Sequence, residues 1–275
     1  MKHQSKLLNV GTTIFSVMSA FSNKHNAINM SQGFPNFKSD QKLIDLVSLD
    51  YNMQEDLKIL IIQSNLVWEN PFQNRVNLNR KIESISQSVD LIILPEMFTS
   101  GFTINPETVA ETLNGETVHW MISVSKRKNA AIVGSIVIAE NNNFYNRLLF
   151  VSPNGQISQY NKRHGFSLAG EDKVYTSGTE KVIIEYKGWK ICPQICYDLR
   201  FPVWARNTEN YDVLLYVANW PKPRIAAWDT LLKARAIENM SYCIGVNRVG
   251  LDANNYEYPG HSAVYDVLGG KLTLE

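Results

Sequence analysis

The chain has 275 residues, of which 44% are hydrophobic and 19% charged, and its formal net charge is +1. This length and composition allow one large packed domain or two small ones and argue against disorder. A near-neutral charge without a basic run argues against nucleic acid as the main partner, and no apolar stretch approaches the length of a membrane span.

Residues 1–52 read differently from the rest. Lys2 and Lys6 stand ahead of the short apolar run Ile14–Ala20, but that run is too brief for a secretory leader. The pattern predicts a helix around Thr13–Ser22, a Gly-Pro loop, and a second helix capped by Ser39 and running to Val47. Such a segment is too short to bury a core of its own. Its loop, Ser31-Gln-Gly-Phe-Pro-Asn-Phe37, and the stretches Ser5–Ser19 and Ala27–Phe37 resemble the N-terminal arm of PLP-dependent, fold-type I aminotransferases of the methionine and glutamine/kynurenine branch. By that resemblance Gly33 matches a substrate-side position. The likeness stops near Asp50, and the PLP-binding parts of that family, the Schiff-base lysine included, have no counterpart here. The arm therefore reads as an aminotransferase-like remnant or gene-junction product, not as an independent domain, and no cofactor is expected.

A fresh beginning is expected at Met53. Asp56–Ser64 reads as a buried strand, Trp68–Pro71 as a loop, Asn74–Ser88 as a helix and Val89–Leu94 as a second buried strand, together a βαβ-type unit. No Gly-rich phosphate loop follows either strand. Glu96 then stands at a strand's carboxyl end, where open α/β sheets place their sites. A helix over 115–128 leads into a meander of three strands, 130–138, 144–151 and 156–162, whose last strand ends at Lys162. Glu171 falls in a polar loop. A hairpin follows, 180–186 with 189–196, and Pro193 within it marks an edge or a bulge. Cys196 sits at the strand-to-helix corner before a short helix over 201–207, where Pro202 suits the first turn. Helix amides at such a corner would lower the thiol's pKa. A strand over 211–217, a helix over 224–240 with an apolar side including Ile237 and Met240, a strand over 242–247 and a last hairpin, 260–267 with 271–275, complete the chain.

The three cysteines, Cys192, Cys196 and Cys243, do not make a disulfide framework. On one strand Cys192 and Cys196 would stand about 13 Å apart, too far for a bridge. They also lack the second ligand pair of a zinc site. A reducing cytoplasm is the expected compartment. Cys192 reads as structural.

Three strand ends thus carry Glu96, Lys162 and Cys196, a set suited to nucleophilic acyl transfer with a thiol, a carboxylate base and a cation for the oxyanion. A cysteine protease would need a histidine; His164 and His261 are the best placed, and neither lies in a protease signature. The segments Leu94-Pro-Glu-Met-Phe98, Asn161-Lys-Arg-His164 and Ile195-Cys-Tyr-Asp-Leu-Arg-Phe-Pro202, supported by Trp228–Asn239 and Gly260-His-Ser262, resemble the nitrilase (carbon–nitrogen hydrolase) superfamily. The resemblance covers residues 53–275, without the family's last strand and C-terminal tail. It implies an α/β fold of the four-layer αββα type whose subunits stack sheets as a homodimer. It also implies Glu96 as general base, Lys162 as oxyanion-binding cation, Cys196 as nucleophile and Glu171 as the carboxylate that positions the lysine.

Within the superfamily, Cys196-Tyr-Asp-Leu-Arg-Phe is similar to the ω-amidase branch. That branch hydrolyses the side-chain amide of 2-oxoacids such as 2-oxoglutaramate and 2-oxosuccinamate, with no metal or cofactor. The backbone N–H of Tyr197 would complete the oxyanion site. Arg200 would meet the substrate carboxylate, as a bidentate guanidinium can. Functional coupling to a glutamine or methionine aminotransferase follows from the N-terminal arm, since transamination of glutamine yields the amide that an ω-amidase removes. The alternatives are a nitrilase acting on a nitrile, an inactive truncated or fused fragment and, disfavoured by the missing lysine region, a PLP aminotransferase.

Overall fold

The computed structural model describes residues 20, 21, 23–25 and 55–273. The chain divides into two units, Met1–Met53 and Gln54–Glu275. In the first, Ala20 and Phe21 are helical, within the helix expected over 13–22. The rest of that helix, the loop holding Gly33 and the second helix over 39–47 lie outside the described residues.

In the second unit, two five-stranded sheets carry the fold. The first has the order β1 (Ile59–Ile61), β2 (Leu91–Ile93), β3 (Ala131–Glu140), β4 (Asn143–Val151) and β5 (Ile157–Asn161). β1, β2 and β3 run parallel, and the meander β3–β4–β5 is antiparallel. The second sheet is formed by β6 (Ile184–Tyr186), β7 (Trp189–Ile195), β8 (Val213–Ala218), β9 (Tyr242–Asn247) and β12 (Ala263–Tyr265). Its order is β12-β9-β8-β7-β6, with β7, β8 and β9 parallel and an antiparallel strand at each edge. β10 (Val249–Leu251) and β11 (Glu257–Pro259) form a separate ribbon.

Strand alternation sorts the apolar residues into three layers of core. Leu91, Ile93, Val133 and Phe150 of the first sheet meet Ile195, Val213, Leu215 and Val246 of the second. On the outer face of the first sheet, Ile92, Ile132 and Leu149 receive Leu78 and Ile82 of helix α1 (Pro71–Glu83) and Val118, Met121 and Val124 of helix α2 (Glu116–Lys128). On the outer face of the second, Leu214, Tyr216 and Cys243 receive Trp228, Leu232 and Ala236 of a long helix, Ile225–Asn239. The result is the expected αββα sandwich. Gly245 lets the long helix approach, because a Cβ there would lie 2.3 Å from Leu232 Cδ1.

Local physics explains where the sequence reading was off. α1 starts at Pro71, inside the stretch read as a loop, because the Asn70 side chain accepts from the Gln73 N–H at 3.0 Å and Pro71 fills the first position. β1 is an edge strand and keeps only the residues that pair with β2. Pro193 falls where β7 is paired on one side alone. β6 stops at Ile184 opposite Ile191, while β8 continues past Pro193, so the missing N–H breaks no ladder bond. Ile237 and Met240 do not join the apolar side of the long helix; they are 47% and 80% exposed, Met240 as its left-handed C-cap. The expected last hairpin is reduced to β12 and a single bridge, Tyr265 to Lys271, and the β10–β11 ribbon was not anticipated.

Candidate active site

Four strands deliver side chains to one place. β2 runs through Leu94 and Pro95 to Glu96, β5 ends just before Lys162, β7 ends just before Cys196, and β8 ends just before Asn219. Glu171 arrives from a four-residue helix, Glu171–Val174, and is fully buried, which corrects its reading as part of a polar loop. The helix turns its first side chain inward because the Phe166 N–H donates to Glu171 Oε2 at 2.6 Å.

These groups form one hydrogen-bonded floor. Lys162 Nζ donates to Glu96 Oε1 at 2.8 Å and to both oxygens of Glu171 at 2.9 Å. Asn146, on β4, donates from Nδ2 to Glu96 Oε1 at 2.8 Å and to Glu171 Oε1 at 3.2 Å. The Asn219 backbone N–H donates to Glu96 Oε2 at 2.8 Å, and its side-chain Nδ2 donates to the Glu96 carbonyl at 2.7 Å. Each oxygen of Glu96 is thus fixed. Burial works to lower the Lys162 pKa, but the adjoining carboxylates of Glu171 and then Glu96 outweigh it and hold the ammonium well above the usual lysine range. Burial pushes Glu171 up, against the pull of Lys162.

Cys196 borders this floor. It has φ +45°, a left-handed conformation that non-glycine residues seldom adopt, and it opens a 3-10 helix, Cys196–Arg200. Its Sγ lies 4.0 Å from the Asn219 carbonyl oxygen. The expectation of a lowered thiol pKa is wrong for this resting state. Burial, and next the negative charge of Glu96, push the Cys196 thiol well above its ordinary value, and Lys162 only partly offsets them. Cys192, further back on the strand, is fully buried among apolar side chains and pushed up to about 12 by that burial. All three cysteines are free.

Beneath the corner lies a carboxylate that sequence reasoning missed. Asp198 is fully buried and accepts from four donors. They are the Ile195 N–H at 3.1 Å, the Tyr160 hydroxyl at 2.7 Å, the His164 N–H at 2.9 Å and His164 Nδ1 at 2.7 Å. Asp198 therefore ties the strand carrying Cys196 to the strand end carrying Lys162. His164 is spent in this contact and stacks on Phe201 with ring centroids 3.6 Å apart, while His261 sits 3.0 Å from Asp229. Neither histidine lines the cavity above Cys196. Asn146 and Asn219 were missed as well; the one available signal was a lone polar residue within or just after an apolar strand.

Above the floor opens a cavity of about 530 Å³. Lys162, Cys196, Tyr197, Arg200 and Asn219 line it, together with aromatic rings. The Tyr197 ring packs edge-on against Phe166 at 5.0 Å. Arg200 is exposed, with its guanidinium carbon 5.1 Å above the Trp220 ring and no ion pair among the described residues. Among those residues, no cluster of His, Cys, Asp and Glu could hold a metal ion, and no helix is long and apolar enough to cross a membrane. The arrangement sets a half-buried thiol, open to the cavity, beside a buried carboxylate and a buried ammonium.

Comparison with known proteins bears on the family and the fold. The family model for carbon-nitrogen hydrolase matches residues 58–272. The omega-amidase YafV of Yersinia enterocolitica is 47% identical over 78% of this chain and 82% of its own length. The 2-oxoglutaramate amidase of Bacillus subtilis is 34% identical over 78% of this chain and 84% of its own. The crystal structure of XC1258 from Xanthomonas campestris, a CN-hydrolase superfamily protein, superposes with a TM-score of 0.78 at 44% identity and covers 80% of this chain and 86% of that one. With the αββα sandwich and the family match extending over nearly all of its second unit, the chain belongs to the carbon–nitrogen hydrolase family.

Proposed function

We propose that the protein is an ω-amidase, hydrolysing the side-chain amide of small 2-oxoacids such as 2-oxoglutaramate and 2-oxosuccinamate through a cysteine thioester. The observation that carries the reading is the meeting of Glu96 and Lys162 at one buried floor bordered by Cys196, in a chain 47% identical to an omega-amidase.

In this mechanism Glu96 is the general base. Because the resting thiol is neutral, proton transfer to Glu96 accompanies attack of the sulfur on the amide carbon. The oxyanion that forms is stabilised by the Lys162 ammonium and the Tyr197 backbone N–H, a contribution worth about 10²–10³ in rate per donor. Glu96 returns its proton to the amine as the carbon–nitrogen bond breaks, and ammonia leaves. Glu96 then activates a water that attacks the thioester, releasing the acid and the thiol. Glu171 and Asn146 hold Lys162 and Glu96 in place throughout. At the open end, Arg200 receives the substrate carboxylate.

The wider reading follows the same line. Residues 53–275 form the hydrolase domain, preceded by an aminotransferase-like remnant over residues 1–52. The enzyme works as a cytoplasmic homodimer, downstream of a glutamine or methionine aminotransferase. Light scattering tests the dimer. The activity is tested by ammonia release from 2-oxoglutaramate and 2-oxosuccinamate beside a nitrile of similar size. Turnover of the two amides is expected, and Cys196→Ala should lower it by at least about 10⁴-fold while leaving the circular dichroism spectrum unchanged. Turnover confined to the nitrile, or equal turnover in the variant, would refute the proposal.

A further inference from the structure

The cavity carries a second arginine that the mechanism leaves unused. Arg224 lies at the end of a 3-10 turn, Lys222–Arg224, that leads into the long helix. Its side chain lines the same cavity as Cys196 and Arg200, with the guanidinium carbon 4.8 Å above the Phe166 ring. Like Arg200, it has no carboxylate partner among the described residues. The carboxylate that does line the cavity, Asp252, is occupied by its own loop. It accepts from the Asn254 N–H at 2.8 Å, the Tyr256 N–H at 2.9 Å and the Tyr258 hydroxyl at 3.0 Å. Lys162 is ion-paired at the floor with Glu96 and Glu171, so the cavity cations without an ion-pair partner among the described residues are its two arginines.

Both arginines rest on fixed shelves. Phe166 is anchored to the floor by its N–H bond to Glu171. The Trp220 N–H donates to Asn247 Oδ1 at 2.7 Å, and its indole N–H donates to the Arg224 carbonyl at 2.7 Å. A guanidinium laid over an aromatic face keeps its in-plane N–H donors free for a planar anion. Two such groups, in a cavity whose sulfur lies at the floor, fit a ligand with an amide at one end and a carboxylate with a neighbouring oxygen acceptor at the other.

We propose that Arg224 is a specificity-determining residue, sharing with Arg200 the recognition of the carboxylate and 2-oxo oxygen at the end of the substrate remote from the scissile amide. This rests on the ω-amidase reading for the identity of the substrate, but its test does not need turnover. In a Cys196→Ala background, calorimetry compares the binding of 2-oxoglutaramate with that of pentanamide, which lacks both oxygen groups. The affinity ratio favours 2-oxoglutaramate, and Arg224→Met, which keeps the stem over Phe166, lowers that ratio about five- to tenfold. Arg224→Lys restores part of it. An unchanged ratio in Arg224→Met, an equal loss for both ligands, or no preference for 2-oxoglutaramate at the start overturns the inference. Loss of the ratio in a protein whose Cys196 form releases no ammonia would instead leave the recognition standing and remove the amidase reading.

Discussion

Lys162 and Arg224 line the same cavity in opposite electrostatic settings. Lys162 is 4% exposed and held by two carboxylates, with every oxygen of Glu96 and Glu171 given a donor. Arg224 is exposed, rests on an aromatic face and has no carboxylate partner among the described residues. The contrast separates two tasks. Charges at the floor are out of water, where fixed partners act strongly and need no reorganisation when a reaction creates new charge. Charges at the rim stay hydrated, contribute less to stability and remain available to a ligand.

Substitutions at the floor should therefore damage stability and turnover together, whereas those at the rim should move only substrate affinity. The largest effect belongs to Lys162→Met. It leaves Glu96 and Glu171 buried side by side without their cation, at a cost of about 3–5 kcal/mol in urea-monitored unfolding, with ammonia release lost. A change below about 1 kcal/mol would mean that the floor does not depend on this pairing.

Asp198→Asn comes next. The amide replaces an acceptor-only carboxylate facing four donors, and about 2 kcal/mol of stability is lost. Because the substitution loosens the Cys196 corner and not the rim, kcat should fall about tenfold while KM stays near its original value. A rise in KM alone would contradict a positioning role for Asp198.

A smaller effect appears in alkaline solution. Burial holds Cys192 at about 12, and pushes Cys196 and Cys243 above the ordinary thiol range too. Below pH ~8.5, the unfolded thiol pKa, both states keep these protons and the thiols add no slope. Above it the unfolded chain loses protons that the folded chain retains, so stability falls as pH rises, by up to ~1.4 kcal/mol per pH unit for each thiol. Cys192→Ala should make the decline between pH 8.5 and 10 shallower by about one thiol's share, read from urea midpoints. Identical slopes in the two proteins would exclude this account.

The smallest effect is expected at the rim. Arg200→Met should raise KM for 2-oxoglutaramate about fivefold, with kcat and the unfolding midpoint little changed. A stability loss as large as that of Lys162→Met would erase the distinction between rim and floor.

Much of the fold was legible because its signals are local. The strand over 242–247 and the helix at 116–128 stand close to where their apolar spacing puts them, and the parallel βαβ unit follows from two apolar runs joined by an amphipathic one. The family resemblance was legible for a similar reason, since the motifs around Glu96, Lys162 and Cys196 are short contiguous segments. Element ends were less readable where a neighbour sets them, as β2 does for β1 and the Asn70 cap does for α1.

Sequence alone determined the strand and helix order and a set of reactive side chains at strand ends, because apolar periodicity and short motifs are properties of neighbouring residues; the αββα class came with the family resemblance that those motifs carry. Only the tertiary structure decided what surrounds those side chains. Asn219 reaches Glu96 across 123 positions, and Asn146 does so across 50, so no local pattern could announce either contact. The sign of the Cys196 pKa shift was decided in the same way. The corner's helix amides are legible in the chain, but burial and the facing carboxylate of Glu96 exist only once the two sheets have packed, and they outweigh any lowering by the corner.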